Sequence, residues 1–372
     1  MIVHLFEDEK FVDITIENFE GISNGENRYI VFSDSIKLTY VKNIKKVEIV
    51  NNSFKNIDIP SIFKNCDLLI IHKLSPIKLY VLKHIPNRVT AIWSVWGADA
   101  YSYFNKNIIY EPITKSTKRR NVIEIFRSSF LYNIYHFYMY RVFPINKEIV
   151  TLNRFDYLIT VLPDEYALIK NEFKMRAKYI DYNYGINKFN QEGYPTLGDS
   201  VLLGNSIDYS NNHLDAFNLI KEIKKSLIVP LSYAGNNNYR DIVIQKGTER
   251  FKTLFNPIVE FLPIKKYNKL ITSCNTVIMY HIRQQALGTI FMSLYLGMRV
   301  FLNKKSLTSK YMNDIGMIVF DLHRDNNLIG IELTLEQKKH NRKLVIALRG
   351  REVINEKISS IVSLYNSLIK SN

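Results

Sequence analysis

The sequence predicts an α/β fold made of two Rossmann-like domains, each built on a parallel sheet. Short apolar runs alternate with longer segments of helical periodicity, and this alternation starts again after a polar stretch near the middle of the 372-residue chain. Strands that alternate with helices form parallel sheets buried on both faces, which explains why the runs are so apolar. The predicted strands are residues 2–6, 29–32, 46–50, 67–72, 89–95, 157–161, 201–204, 227–231, 258–262, 276–280, 300–302 and 317–320.

The polar stretch at residues 187–200 is the best candidate for a linker, because it contains two glycines and a proline. It divides the chain into an N-terminal domain, residues 1–190, and a C-terminal domain, residues 191–350. We expect the two sheets to face each other across a cleft. The last segment, residues 351–372, has helical periodicity, and we expect it to pack back on the N-terminal domain.

The composition excludes several classes of protein. Hydrophobic residues make up 47% of the chain, which excludes a disordered protein, and the two cysteines, Cys66 and Cys274, argue against a disulfide framework or a cysteine zinc site. No signal peptide is predicted, because the first strand lacks a basic segment before it and is followed by Glu7, Asp8 and Glu9. No uncharged apolar run reaches the roughly 18 residues that cross a bilayer. The net charge of +15 is compatible with nucleic acid, an anionic membrane or phosphorylated ligands.

Motifs for dinucleotides and catalytic metals are absent from the sequence. The loop after the first strand carries three acidic side chains in place of a glycine-rich turn, and these would repel a pyrophosphate. The sequence also lacks a P-loop, an H-E-x-x-H helix, a G-x-S-x-G elbow and a D-x-D pair after a strand. We therefore expect neither a cofactor nor a bound metal ion.

The stretch RQQALGT, residues 283–289, joins a predicted strand to a predicted apolar helix at 286–297. Ligands of open parallel sheets bind at the edge where the strands end, and the free N–H groups of a helix start favour an anion such as a diphosphate. An arginine adds a permanent positive charge, and a glycine lets a ligand approach the backbone. The alternative is an exposed loop whose arginine pairs locally. The predicted diphosphate-binding residues are Arg283, Gln284, Gln285, Gly288 and Thr289.

Two further loops follow predicted strands of the C-terminal domain. Residues 203–213 are rich in small polar side chains that suit a phosphate or a sugar, and residues 229–239 contain a tyrosine that could stack on a base or a sugar. Taken alone, the first loop is better explained by ordinary turn and cap residues. Three polar loops at one sheet edge nevertheless indicate a ligand site more strongly than any one of them alone. The candidate binding residues of these two loops are Gly204, Asn205, Ser206, Asn211 and Tyr233.

The N-terminal domain contains two candidates for a general base. Asp99 comes just after a predicted strand, beside Gly97 and Ala98, where a carboxylate could project from the sheet edge. The alternative is an N-cap aspartate next to core tryptophans. His72, at the end of the strand 67–72, is the second candidate, although a lone histidine is more often structural.

Residues 115–143 begin with a cluster of lysines and arginines and continue into a dense aromatic stretch with helical spacing. A basic helix with exposed aromatic side chains is typical of proteins that bind a membrane surface. The alternatives are an aromatic face packed in the core and an RNA-binding surface.

These segments together resemble glycosyltransferase family 56, the bacterial 4-acetamido-4,6-dideoxygalactose transferases. The matching segments, in the family's order, are residues 96–101 (WGADAY), 204–213 (GNSIDYSNNH), 230–233 (PLSY) with Asn236 and Asn237, and 283–289 (RQQALGT). Residues 67–72 also resemble the strand that precedes the W-G-A-D segment, and the likeness spans roughly residues 65–315. Three positions depart from the family pattern, because Ile207, Ser232 and Ala286 stand where glycines are expected.

The resemblance implies a GT-B architecture whose second domain holds the nucleotide-sugar. It also implies metal-independent transfer of a dTDP-activated, Fuc4NAc-like sugar to a polyprenyl-diphosphate-linked saccharide, as in the synthesis of enterobacterial common antigen. Asp99, or His72 as the weaker candidate, would then be the base, with Trp96 and Gly97 on the acceptor side. The basic aromatic segment would hold the enzyme peripherally at the cytoplasmic face of an anionic inner membrane.

Two other classes of function remain compatible with the sequence. A nucleotide-sugar epimerase or hydrolase would use the same scaffold without a lipid acceptor. A non-enzymatic protein that binds nucleic acid or a membrane surface would explain the net charge, although the positive residues are scattered and no known nucleic-acid-binding module is present.

Overall fold

The computed structural model describes residues 1–54, 57–104, 109–119, 130–185 and 193–371, and it confirms the α/β fold. The chain divides into two units, each with one sheet. The first unit contains the described residues of Met1–Phe104, Ser128–Gly185 and Arg351–Asn372, and the second contains those of Asn105–Arg127 and Ile186–Gly350.

Every strand pairing in both sheets is parallel. The strands are β1 (Ile2–Glu7), β2 (Asn27–Phe32), β3 (Val47–Val50), β4 (Leu68–His72), β5 (Thr90–Ser94), β6 (Tyr157–Ile159), β7 (Lys178–Ile180), β8 (Ser200–Leu203), β9 (Leu227–Pro230), β10 (Phe255–Ile258), β11 (Cys274–Met279), β12 (Arg299–Leu302) and β13 (Phe320–Asp321). The seven-stranded sheet of the first unit has the order β3-β2-β1-β4-β5-β6-β7. The six-stranded sheet of the second unit has the order β10-β9-β8-β11-β12-β13.

Helices lie between most consecutive strands, because parallel strands need a long crossover connection. The described α-helices are α1 (Val12–Glu20), α2 (Ile59–Ile62), α3 (Pro76–Lys83), α4 (Ala98–Tyr101), α5 (Pro112–Arg119), α6 (Phe130–Tyr140), α7 (Ile149–Leu152), α8 (Pro163–Glu172), α9 (His213–Leu219), α10 (Asn237–Phe251), α11 (Ile264–Thr272), α12 (Leu287–Tyr295), α13 (Leu307–Asp314), α14 (Leu335–Arg349) and α15 (Arg351–Ser371).

The central strands of each sheet are buried along most of their length. Strands β1 and β4 in the first unit and β8 and β11 in the second are flanked on both sides, which is why they appear in the sequence as continuous apolar runs. Helix α15 completes the core of the first unit, where Ile354, Ile358 and Ile361 pack with Phe19 and Tyr182.

The sequence located the central strands well and the edge strands less well. Strand β7 was not predicted, because it has only three residues, lies at the edge of its sheet and is partly exposed, so it leaves no apolar run in the sequence. Strand β10 was predicted at 258–262 but begins three residues earlier. It is also an edge strand, its register is set by pairing with β9, and its second residue, Asn256, is exposed.

The structure divides the predicted basic helix at residues 115–143 between the two units. Helix α5 belongs to the second unit, where the backbone N–H groups of Ile113 and Thr114 donate to the two carboxylate oxygens of Asp215, both at 2.9 Å. Helix α6 belongs to the first unit. Residues 120–129, which carry part of the predicted basic cluster, lie outside the described residues.

Five fully or almost fully buried histidines make the stability of the fold depend on pH. Burial lowers the pKa of His4 and of His213 to about 3, and it lowers the pKa of His72 and His281 well below the usual 6.5. Burial also lowers the pKa of His136. The unfolded chain therefore binds more protons than the folded chain below about pH 6.5, so stability is complete above that pH and is lost as the pH falls.

We predict that the free energy of unfolding, measured with urea, falls between about pH 6.5 and pH 4 by up to about 1.4 kcal/mol per pH unit for each buried histidine. His4→Gln should reduce this slope, because it removes one of the five buried histidines. The control is Ile36→Gln, which changes an 84% exposed, non-titratable side chain of the first unit and should leave the slope unchanged. Equal slopes for H4Q and the parent protein would contradict the assignment of this pH dependence to the buried histidines.

Candidate functional site

The candidate site lies where the strand order of the second sheet reverses. Strands β9 and β10 lie on one side of β8, and β11, β12 and β13 lie on the other side. The loops after the neighbouring strands β8 and β11 therefore leave the sheet in opposite directions. Such a switch point leaves a crevice at the carboxyl edge of the sheet, where open α/β folds bind ligands. The segment 204–213 identified in the sequence follows β8, and the segment 283–289 runs from the loop after β11 into the first turn of α12.

The loop after β8 is organised by Asn211, which is completely buried. Its Oδ1 accepts hydrogen bonds from the backbone N–H of Asn205 at 3.0 Å and from the ring of His281 at 2.9 Å. Its Nδ2 donates to the hydroxyl of Ser206 at 3.1 Å. Asn211 and Ser206, both predicted to touch a ligand, therefore shape the loop from inside.

Gly204 is required by this close packing. It has a φ of 72°, and a Cβ atom there would lie 2.8 Å from Oδ1 of Asn211 and 2.9 Å from Nε2 of His213. Nε2 of His213 is buried and has no hydrogen-bond partner among the described residues. Any side chain at position 204 would displace these two groups.

Gln285 joins the loop after β11 to the loop after β8. Its Oε1 accepts a short hydrogen bond from the hydroxyl of Ser210, and its Nε2 donates to Oδ1 of Asn205 at 2.8 Å. Asn205 in turn reaches the hydroxyl of Tyr233 at 3.4 Å, and the N–H of Ile207 donates to the carbonyl of Tyr233 at 3.1 Å. The three polar loops predicted from the sequence thus form one hydrogen-bonded assembly.

Helix α12 begins at this edge without a side-chain cap among the described residues. The N–H groups of its first turn have no partners within the helix, and they carry the positive end of the helix dipole. Gly288 is exposed, and nothing lies within 4 Å of the position that a Cβ would take. Ala286, just before the helix, has a φ of 56°, which is the left-handed conformation that favours glycine.

Arg283 places a nearly buried positive charge beside this helix start. Its side chain is 10% exposed, and within the described ranges it donates one hydrogen bond, to the carbonyl of Gln284 at 3.0 Å. The carboxylate of Asp208 lies 3.9 Å away. A guanidinium has five N–H donors, so most of them stay available for a ligand. The buried Oε1 of Gln284 also has no hydrogen-bond partner in the described part of the chain.

The sequence analysis missed a contribution from residues 109–119. Glu111 is buried, and its carboxylate accepts from Nδ2 of Asn303 and Nζ of Lys305, both at 2.8 Å. Lys118 lies over the rings of Tyr110 and Tyr209, 4.9 and 5.0 Å from their centres. Asn303 and Lys305 directly follow β12, so the strand-end rule could have identified them, whereas nothing in the sequence marks residues 109–111.

Tyr110 shows that this segment lies close to the site. Burial raises the pKa of its hydroxyl, and the nearby charges of Lys118, Asp208 and Arg283 also act on it. The segment therefore places the ammonium of Lys118 and the ring of Tyr110 near the loop after β8, where Lys118 also lies over Tyr209.

In the first unit, Asp99 is held by three hydrogen bonds and is 6% exposed. Its Oδ2 accepts from the N–H of Leu74 at 2.8 Å and the indole of Trp93 at 2.9 Å, and its Oδ1 accepts from the N–H of Trp96 at 3.0 Å. Burial raises the pKa of its carboxyl, while these hydrogen bonds lower it. Asp99 therefore orders the turn at Gly97, which is the N-cap residue of α4 and has a φ of 88°, so Asp99 itself is not an N-cap.

His72 is completely buried, and both ring nitrogens are used. Its Nε2 pairs with Nδ1 of His4 at 3.1 Å, and its Nδ1 pairs with the hydroxyl of Tyr184 at 2.8 Å. The ring also stacks on Phe6 with centroids 4.0 Å apart. A substrate hydroxyl does not reach His72 in this structure, which gives the residue a packing role.

Trp96 lies at the surface of the first unit, partly buried. Its indole N–H donates to the hydroxyl of Tyr184 at 2.6 Å, and its ring meets that of Phe11 edge-on, with centroids 4.8 Å apart. Among the described residues, no group of three or more His, Cys, Asp or Glu side chains is arranged to hold a metal ion.

Comparison with known proteins connects this geometry to a family. A family model described as 4-alpha-L-fucosyltransferase glycosyl transferase group 56 matches residues 180–348, which include all three polar loops of the second unit.

Solved structures with low sequence identity share the fold. A glycosyltransferase from Rickettsia africae has a TM-score of 0.64 at 13% identity, covering 100% of this chain and 99% of its own. Sucrose-phosphate synthase from Thermosynechococcus elongatus has a TM-score of 0.66 at 11% identity, with full coverage of both chains. The Anabaena protein HepE, in complex with UDP and glucose, has a TM-score of 0.65 at 10% identity, covering 98% of this chain and 99% of its own.

The family model matches the residues that form the three polar loops. The structural neighbours share the GT-B fold of this chain. The predicted resemblance to glycosyltransferase family 56 is therefore confirmed over residues 180–348, and the protein is a glycosyltransferase with a GT-B fold.

Proposed function

We propose that the second unit binds a nucleoside-diphosphate sugar at the switch point between β8 and β11. The observation that carries this proposal is the position of Arg283, whose guanidinium is nearly buried, makes few hydrogen bonds and lies next to the uncapped start of α12. A diphosphate would satisfy both the guanidinium and the free N–H groups near Gly288 and Thr289.

The same groups would promote transfer. As an acceptor hydroxyl attacks the anomeric carbon, the bond to the diphosphate breaks and negative charge grows on the leaving oxygen. Preorganised donors lower the barrier when they stabilise charge that develops in the transition state. We propose that Arg283 and the first N–H groups of α12 perform this role, with Tyr233 and Asn205 beside the donor's nucleoside or sugar.

We further propose a dTDP-activated, Fuc4NAc-like donor and a polyprenyl-diphosphate-linked acceptor, as the family resemblance implies. Two departures from the family pattern are compatible with the same loop geometry. Ile207 is 4% exposed and packs against Gly235, so its side chain lies beneath the loop. Ala286 takes the left-handed conformation that a glycine would take.

Helix α6 supports peripheral binding to an anionic membrane at the cytoplasmic face of the inner membrane. Leu131, Ile134, Tyr135 and Tyr138 follow the spacing of one helix face and are 47–72% exposed. Such an apolar face on a protein with a net charge of +15 suits insertion among anionic headgroups. In the described ranges, no helix is both long and apolar enough to cross a membrane.

The donor proposal predicts selective stabilisation by one class of nucleotide. In a thermal-shift panel of dTDP, UDP and GDP with their sugars, we expect dTDP compounds to raise the melting temperature most. Arg283→Ala should abolish most of that shift and slow sugar transfer to a polyprenyl-linked acceptor by about 10²-fold, the usual effect of losing one such donor.

The control for this panel is Lys246→Ala, which removes an exposed cation from α10 that pairs with Glu249. It should leave both the shift and the transfer rate unchanged. The donor site would be refuted if no nucleotide stabilised the parent protein, or if R283A retained its full response.

The membrane proposal predicts that two charges on α6 prevent vesicle binding. Leu131→Asp combined with Tyr138→Asp should weaken sedimentation with phosphatidylglycerol vesicles at least about tenfold, because fully burying each large apolar side chain is worth roughly 1.5–3 kcal/mol. Ile36→Asp, at an 84% exposed position of the same unit, is the matched control. If the L131D/Y138D variant bound the vesicles as well as the I36D variant, α6 would not be the membrane contact.

A further inference from the structure

A cavity opens at the carboxyl edge of the second sheet, beside the ends of β12 and β13. Its volume is about 700 Å³, which lies within the range of pockets that hold small-molecule ligands. Its walls come from the loop after β12, from helix α13 and from the residues around β13, all of which belong to the second unit. The residues that line it are different from those of the proposed donor site.

Lys304 brings an unpaired positive charge to this cavity. Its two neighbours are used by the fold, since Asn303 and Lys305 each donate at 2.8 Å to the buried carboxylate of Glu111. The side chain of Lys304 is exposed and lines the cavity instead. It has no hydrogen bond or ion pair among the residues that the structure describes. Its ammonium therefore has three N–H donors available for an anion.

His323 and Arg324 line the same cavity after β13. Two N–H groups of the Arg324 guanidinium donate to the carboxylate of Asp325, at 2.8 and 2.9 Å. Because a guanidinium has five N–H groups, three of them remain for a ligand within the described ranges. Nε2 of His323 pairs with the hydroxyl of Tyr280 at 2.7 Å, and its Nδ1 has no partner in the described part of the chain.

The lining carries more positive than negative charge. It contains three Lys or Arg side chains, the third being Lys310, against one acidic residue, Asp321. Lys310 pairs with Asp314 at 3.0 Å, and one oxygen of Asp321 accepts the backbone N–H of His323 at 3.0 Å. The charge on Lys304 therefore stays uncompensated, and a cavity with such a lining favours an anion.

The cavity also has a wall that suits an organic group. Val319 and Phe320 contribute apolar surface, and Asn313 contributes an amide. The ring of Phe320 packs against the guanidinium of Arg299, which lies 4.3 Å from the ring centre. A bare inorganic anion would use only the cations, whereas a phosphorylated organic molecule would use both the cations and this wall.

We propose that this cavity is a ligand site separate from the donor site and that it binds a small phosphorylated organic molecule of the sugar phosphate class. The phosphate accepts hydrogen bonds from the ammonium of Lys304 and the guanidinium of Arg324, which are the strong, charge-assisted kind. The organic part packs on Val319 and Phe320. This inference does not depend on the donor proposal, because the two sites share no residue.

The test measures the affinity of the full chain for glucose 1-phosphate and for ribose 5-phosphate by isothermal titration calorimetry at constant ionic strength. The protein carries Arg283→Ala, so that the proposed donor site does not contribute. Lys304→Ala combined with Arg324→Ala should raise Kd at least about tenfold, because two charge-assisted contacts with the phosphate are lost. The melting temperature should change little, because both side chains are exposed.

The matched control is Lys224→Ala combined with Lys246→Ala. It removes two exposed cations of the same unit, which pair with Glu222 and Glu249, and so changes the net charge by the same amount. This variant should keep the Kd of the unmodified cavity. Inorganic phosphate should bind more weakly than either sugar phosphate, and glucose without a phosphate should not bind measurably.

The absence of binding by either sugar phosphate, or equal weakening in both double variants, would overturn the site. Equal affinity for inorganic phosphate and the sugar phosphates would overturn the assignment of an organic ligand. Displacement of a sugar phosphate by dTDP in the parent protein would show that the cavity belongs to the donor site. If dTDP itself failed to bind, the donor proposal alone would be refuted.

Discussion

The strand order reverses at β1 in the first sheet and at β8 in the second, and the rest of this structure depends on these two reversals. The strand pairings are all parallel, so every strand of a sheet ends at the same edge, and the loops after the two central strands leave this edge in opposite directions where the order reverses. These are the loops after β8 and β11 in the second unit and the loops after β1 and β4 in the first unit. The order of the apolar strands therefore determines which polar side chains lie at the edge where a ligand can bind.

A second requirement follows from burial of the polar loops. Asn211, Ser206 and Gln285 are at most 9% exposed, and a buried amide or hydroxyl is stable only if it is hydrogen-bonded. They therefore bond to each other and to backbone groups, which fixes the loops before any ligand arrives. In the proposed function, Arg283 and the start of α12 would be presented by a preorganised frame, which would reduce the cost of reorganisation during transfer.

Sequence reasoning predicted the two central strands and the polar loops after them, but it did not predict which of the loop residues are buried. The alternation of apolar runs gave β8 and β11, and polar residues at their ends indicated the loops, because both signals are local. It could not show that Asn211 and Ser206 face inward while Gly288 and Tyr233 are exposed, since that depends on packing between distant loops.

The same limit applies to the acidic residues of the first unit. Asp99 and Glu9 both follow strands, and only the structure shows that the three donors bonded to Asp99 use both its oxygens, whereas Oε2 of Glu9 has no donor in the described ranges. In the sequence, the acidic side chains after β1 only argued against a dinucleotide. The sequence also does not show that residues 109–119 contribute to the second unit. This contribution depends on the pairing of the buried Glu111 carboxylate with Lys305, nearly two hundred positions later.

The most direct measurement of the central claim is a crystal structure of the full chain with dTDP. The account predicts that the diphosphate oxygens lie within hydrogen-bond distance of the Arg283 guanidinium and of the N–H groups of Gly288 and Thr289. A diphosphate bound elsewhere, for example at the Lys73 and Lys78 edge of the first unit, would contradict it.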